Sequence, residues 1–174
     1  MKEIFILLII VQIFQIIYSS YIMFLKKKKN MLLHMFIGNA ISLTIFAIAD
    51  LKSAFLTTIF ITVRSFLFMF RDKYKTNLIF YFCLFLHLLP GIITYDGLIS
   101  LLPSITAIIA IFVIWFGNEQ QIRLGLIIPN FIWVIYYCVF EIYISAAFNI
   151  IVIIFEIISF ITSSTWYKNL KRVS

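Results

Sequence analysis

The sequence predicts an all-α membrane protein. It reads as seven transmembrane helices in two parallel three-helix repeats joined by a linker helix (3+1+3), with the N-terminus outside and the C-terminus cytoplasmic. Three observations predict it. The first is composition: of 174 residues, 64% are hydrophobic and only 12% charged, with a mean hydropathy of +1.11. An ordinary soluble domain is roughly 45–50% apolar and about 25% charged. A folded chain of this size still exposes about a third of its surface, too much for so apolar a sequence to wet. A water-soluble enzyme, a DNA-binding domain and a disordered chain are therefore excluded. The second observation is seven apolar runs, each near the roughly 20 residues of a spanning helix. The third is how the basic residues divide between the run ends.

The elements follow in order. Ile4–Leu25 is too long for a signal-peptide h-region, lacks a small-x-small cleavage site after it, and reads as a retained span. Lys26–Asn30 ends it. Met31–Ala49 is the second run, closed by Asp50-Leu51-Lys52, and Ser53–Phe70 the third, interrupted only by Arg64. After the hydrophilic Arg71–Asn77 comes Leu78–Tyr95, with His87 and Pro90-Gly91, then an Asp96-Gly97 turn. Leu98–Phe116 is the fifth run, closed by Gly117–Gln121. Ile122–Phe140 is the sixth, ended by Glu141, and Ile142–Trp166 the seventh, with Glu156 inside and a basic tail behind. The runs are apolar on every face, whereas strands of a membrane barrel alternate apolar and polar residues. Cys83 and Cys138 lie within apolar runs without disulfide or metal spacing and read as buried thiols.

The net charge of +7 supports the count of seven. Threaded through seven spans, Lys26–Lys29, Arg71, Lys73, Lys75, Arg123, Lys168, Lys171 and Arg172 share one side, and only Lys2 and Lys52 the other. Positively charged loops stay cytoplasmic, so the surplus reports topology and not nucleic acid. Tyr95 and Tyr143 outside, with Trp115 and Trp166 inside, suit interfacial anchors.

Sliding the chain by 91 positions sets Asn39 on Asn130, Asp50 on Glu141, Thr58 on Asn149, and Arg64 beside Glu156. An offset containing four spans preserves orientation, which makes the halves parallel repeats. The units are then residues 1–70, a linker helix over 71–97, and 98–174 including the tail.

Charges within a bilayer are costly and are paired or functional. Arg64 lies roughly 9 Å from its span end, and Asn39 and Asn130 roughly 12–13 Å. With Glu156 and Gln15 they form one layer, cytoplasmic of the midplane. Thr57 and Arg64 share a helical stripe, as do Asn149 and Glu156. Trp133 stands one turn beyond Asn130, placed to stack on a ligand. One reading is a polar site of Asn39, Asn130, Trp133, Arg64 and Asn149 between the halves, where repeat transporters bind substrate. The other is an Arg64–Glu156 charge pair locking the third and seventh spans, with the asparagines as interhelical glue. Pro90, Pro103 and Pro129 are expected to kink or loosen their helices. His34 and His87 read as structural. No catalytic, phosphate-binding or metal motif occurs, so neither an enzyme nor a cofactor is expected.

The residues Tyr95-x-Gly97, Ser100-Leu101-Leu102-Pro103, Trp115, Ile122-Arg123, Trp133-x-x-Tyr136 and Glu156 carry a resemblance to the YgjV family of bacterial inner membrane proteins. In the first half Arg64 and Phe68-x-x-Arg71-Asp72-Lys73 are similar to that family's third helix and following loop. The likeness runs over nearly the whole chain. It departs in having few glycines, with Asp50 and Glu141 where a small-residue turn is expected. The resemblance implies a multi-pass inner-membrane protein distantly similar to the SWEET/PQ-loop transporters. The expected function is transfer of a small polar solute by rocking one half against the other. The alternative is a non-transporting regulatory, immunity-type or structural partner with no solute pathway. The partners implied are the lipid bilayer and a small polar solute; a homo-oligomer is compatible with both readings.

Overall fold

The computed structural model describes residues 2–74 and 77–163. Among them there are seven long helices, one single-turn helix and no strand. They are α1 (Lys2–Met23), α2 (Lys28–Ile48), α3 (Lys52–Phe68), the single turn α4 (Arg71–Tyr74), α5 (Leu78–Ile93), α6 (Leu102–Phe116), α7 (Glu119–Val139) and α8 (Tyr143–Ser163). A 3-10 turn, Leu98–Leu101, leads into α6. Lys75, Trp166, Lys168, Lys171 and Arg172, which entered the topology argument, lie outside the described residues.

Among the described residues four helical stretches are long and apolar enough to cross a membrane: Lys28–Ile48, Leu98–Phe116, Glu119–Val139 and Tyr143–Thr162. The apolar stretches Ile9–Met23 and Leu78–Ile93 are shorter. Helix α3 has 17 residues. Helix α5 stops early for a local reason. The Thr94 hydroxyl donates to the Pro90 carbonyl at 2.7 Å, and Gly97 turns the chain with a φ of 80° that favours glycine. Other boundaries move outward. Glu119–Gln121, a loop by hydropathy, form the first turn of α7 through a capping box. The Asn118 side chain accepts from the Gln120 and Gln121 amides, and the Asn118 amide donates to Gln121 Oε1 at 2.9 Å. Pro103 does not kink a helix: it sits in the first turn of α6, where its missing N–H costs nothing. Pro90 and Pro129 are inside α5 and α7.

Helices α2 and α7 end alike. Asp50 and Glu141 are left-handed, at φ 52° and 59°. In each case the next amide reaches back to the fifth residue behind it: Leu51 to the Phe46 carbonyl at 3.1 Å, and Ile142 to the Tyr137 carbonyl at 2.8 Å. This is a Schellman termination, and Leu51 and Phe46, like Ile142 and Tyr137, pack in one apolar cluster beneath it. The left-handed conformation explains why a small residue is expected there: only glycine adopts it without a Cβ penalty. Glu141→Gly is therefore expected to raise the thermal midpoint of the purified protein, by about 1 kcal/mol of stability. Glu141→Val is expected to lower it. The same midpoint for both would contradict the assignment.

Around the bundle, α1 packs on α2, α2 on α3, α3 on α6, α6 on α7, α7 on α8, and α8 back on α1. These six helices close a ring. Helix α5 stands outside it, against α3 and α6. One core, with Met31, Ile111, Ile114, Trp115 and Ile122, fills the end where α2 and α7 begin. A second, with Phe46, Leu51, Ala54 and Tyr136, fills the opposite end. The outer surface is apolar, with Ile17, Leu78, Ile92 and Phe116 all exposed. So continuous an apolar exterior suits lipid and not water. Tyr95 and Tyr143 face outward, as anchors should, but Trp115 is 5% exposed and belongs to the core between Phe68 and Phe80. Cys83 is buried, whereas Cys138 lies on the exposed surface, contrary to its expected burial.

Candidate functional site

Between the two cores the ring helices line a partly open cavity of about 200 Å³. All six ring helices line it and α5 does not. Asn39, Arg64, Asn130, Trp133, Asn149 and Glu156 all reach it. The sequence places Asn39, Arg64, Asn130 and Glu156 at one depth; the ring closure turns all six faces to one space.

The polar contacts are built in matching pairs. Asn39 on α2 donates its side-chain amide to the Ser65 hydroxyl of α3 at 3.3 Å. Asn130 on α7 donates to Glu156 Oε1 of α8 at 2.7 Å. Each bond spans 26 positions, and the second pair is the first moved by 91. Ser65 is thus the counterpart of Glu156, a role the sequence reading passes over for the adjacent Arg64. Comparing both residues of each helix pair at that offset, and not only the charged ones, reveals it.

The Arg64–Glu156 charge pair does not form. Arg64 is 4% exposed and donates from Nη1 to the Ala107 carbonyl of α6 at 3.2 Å, leaving Nε without a partner. Glu156 is fully buried, accepts from Asn130, and leaves Oε2 without a partner. Each charge is held by a neutral group on its neighbouring helix, which keeps the two on opposite walls. Trp133 also differs from expectation, because its ring stacks on Phe46 at 5.5 Å and Tyr137 at 5.6 Å. It makes an aromatic wall. Asn149 turns its amide to the Ser145 carbonyl at 3.1 Å, and Ser145 in turn accepts from Gln12 at 2.8 Å. Gln15 donates to Ser42. Gln12, Ser42 and Ser145 line the cavity too.

The histidines serve structure. His34 hydrogen-bonds Tyr18 at 2.7 Å, and buried His87 bonds the Cys83 carbonyl at 2.7 Å within its own helix.

One end of the ring is tied by basic side chains to helix carbonyls. Arg123 on α7 donates from Nε to Met23 and from Nη2 to Leu25, both at 2.7 Å, capping the end of α1. The Lys28 ammonium donates to Gly117 at 2.8 Å past the end of α6, and the Lys28 amide donates to Glu119 Oε1 at 3.1 Å. Arg71 bonds the Trp115 carbonyl and lies over the Trp115 ring at 5.1 Å. Cations near helix C-termini complement the exposed carbonyls there. The Met23 carbonyl also accepts from Ser159 of α8 at 2.5 Å.

An apolar-faced ring of helices around a polar, partly charged interior defines a multi-pass membrane protein. Its sequence is specific as well. The chain belongs to the YgjV family of bacterial inner membrane proteins, whose profile matches residues 6–165. It is accordingly a protein of the bacterial inner membrane. Neither the curated proteins nor the solved structures give a match.

Proposed function

We propose that this protein is a facilitator or exporter of a small polar solute. Substrate sits in the ring cavity and passes as one three-helix half rocks against the other. The carrying observation is the cavity itself: a closed ring with about 200 Å³ of space at mid-height, walled by amides, hydroxyls and two charges. A purely structural partner has no need of such a space. Two buried polar atoms facing it, Arg64 Nε and Glu156 Oε2, have no partner and cost stability until one is supplied.

On this reading all seven long helices span the membrane, with the short ones tilted little. The halves are α1–α3 and α6–α8, with α5 as linker. Several features support the repeat. Helices α2 and α7 start and end 91 residues apart, and their left-handed terminators share that offset. The α1·α2, α2·α3 and α1·α8 contacts recur as α6·α7, α7·α8 and α3·α6. The basic end of the ring faces the cytoplasm by the positive-inside rule, which puts the N-terminus outside.

Flux into proteoliposomes tests this proposal. Asn130→Ala removes the donor that holds Glu156, a charge-assisted bond worth about 1.5–3 kcal/mol. Solute flux is expected to fall about tenfold or more while the protein stays monodisperse and helical. Wild-type flux in this variant would overturn the site.

A further inference from the structure

The cavity is electrically distinctive. Among its lining residues Arg64 and Glu156 are the two with a basic or an acidic side chain, one of each kind. They come from α3 and α8. In the ring order α1–α2–α3–α6–α7–α8 these two helices stand opposite each other. Each charge is anchored on one atom by a neutral neighbour and left unpartnered on another: Arg64 at Nε, Glu156 at Oε2. Both side chains are more than nine-tenths buried. Two opposite charges held apart in a low-dielectric interior would gain by meeting, but the Ala107 carbonyl and the Asn130 amide hold them at separate walls.

Resting on the transport reading above, we propose that the substrate is a small zwitterion. Its anionic group lies against Arg64 and its ammonium against Glu156. A neutral sugar could reach both unpartnered atoms with its hydroxyls, but it would bring no charge to balance either side chain. An anion or a cation would satisfy one and leave the other charge buried alone. A zwitterion completes both at once and adds no net charge to a site inside the membrane. Because Glu156 replaces the serine found at the matching position of the first half, the charge pattern is asymmetric and binds such a solute in one orientation. The cavity volume restricts it to the size of a single amino acid or a similar molecule.

The test is a six-solute flux comparison in proteoliposomes. It sets radiolabelled glycine, β-alanine and γ-aminobutyrate, zwitterions of increasing charge separation, against L-lactate, choline and D-glucose. At least one zwitterion is expected to cross at least tenfold faster than all three controls. Glu156→Gln is expected to cut that flux tenfold or more and to raise the rate of L-lactate relative to it, because Arg64 alone then remains charged. If lactate, choline or glucose matches the best zwitterion, the inference is wrong while transport stands. The same holds if Glu156→Gln leaves the order unchanged. If no solute moves faster than through protein-free liposomes, the transport reading falls with it. Should Glu156→Gln not fold, the wild-type comparison decides alone.

Discussion

Arg123→Met is expected to lower the stability of the purified protein by about 3 kcal/mol, and Arg123→Lys by nearly as much. Arg123 is 4% exposed, and bonds leave from different nitrogens of one planar fork, Nε to Met23 and Nη2 to Leu25. Each bond from a charged donor is worth about 1.5–3 kcal/mol when its acceptor is buried. Methionine keeps the apolar stem, removes the Arg123 donor from the Leu25 carbonyl and leaves the Met23 carbonyl with Ser159 alone. Lysine keeps the charge, but a single ammonium on a flexible stem cannot reproduce the fork. The comparison separates two roles. As a mere topology mark, Arg123 would tolerate lysine fully. As a fixed cap joining α7 to α1, it would not. Thermal unfolding followed by circular dichroism in detergent reads the difference, and a wild-type midpoint for Arg123→Lys would dismiss the cap.

Gly125→Ala is expected to destabilise the protein by about 1–3 kcal/mol through overpacking. A Cβ at Gly125 would lie 2.5 Å from Val113 Cγ1 and 2.8 Å from Cγ2, between α7 and α6. Valine has one strongly preferred rotamer in a helix and cannot swing aside. Either the helices separate, or the side chain leaves its well. Val113→Ala removes the obstruction. The double variant Val113→Ala with Gly125→Ala is therefore expected to be more stable than Gly125→Ala alone, an interaction of favourable sign in a double-mutant cycle. Additive losses would show that the two residues do not touch. Because both positions lie at the joint between α6 and α7, the same variant is expected to disturb the cavity wall.

Much of this was legible in the amino acids. The apolar runs locate the helices, because a backbone in lipid must satisfy its own hydrogen bonds and long apolar stretches have no other solution. Asn39, Arg64, Asn130, Asn149 and Glu156 stand out for the same reason: a polar side chain in an apolar run is expensive, so it has a partner or a task. Their depth follows from helical rise alone. Which partner each one takes was not legible. Arg64 and Glu156 are complementary in charge and matched in depth, yet depth says nothing about bearing around the ring. Their placement on opposite walls comes from the order in which helices pack. Ser65 was overlooked because a serine in a membrane helix bonds its own backbone at little cost, as it does here to the Ile61 carbonyl at 2.9 Å. Trp115 and Arg123 have roles that hydropathy does not show, for a shared reason. Residues near span ends resemble interfacial markers, and only packing shows that one is core and the other a cap.

By itself, then, the sequence determined that this chain lives in a membrane, where its helices run and which residues are out of place in hydrocarbon. Transfer energies act residue by residue and leave their pattern in one dimension. The tertiary structure decided that six of the helices close a ring and that α5 stays outside it. It also decided that the two buried charges face one cavity without touching. Those outcomes depend on which helix faces meet, and helices of nearly uniform hydrophobicity carry no stripe from which that choice can be read.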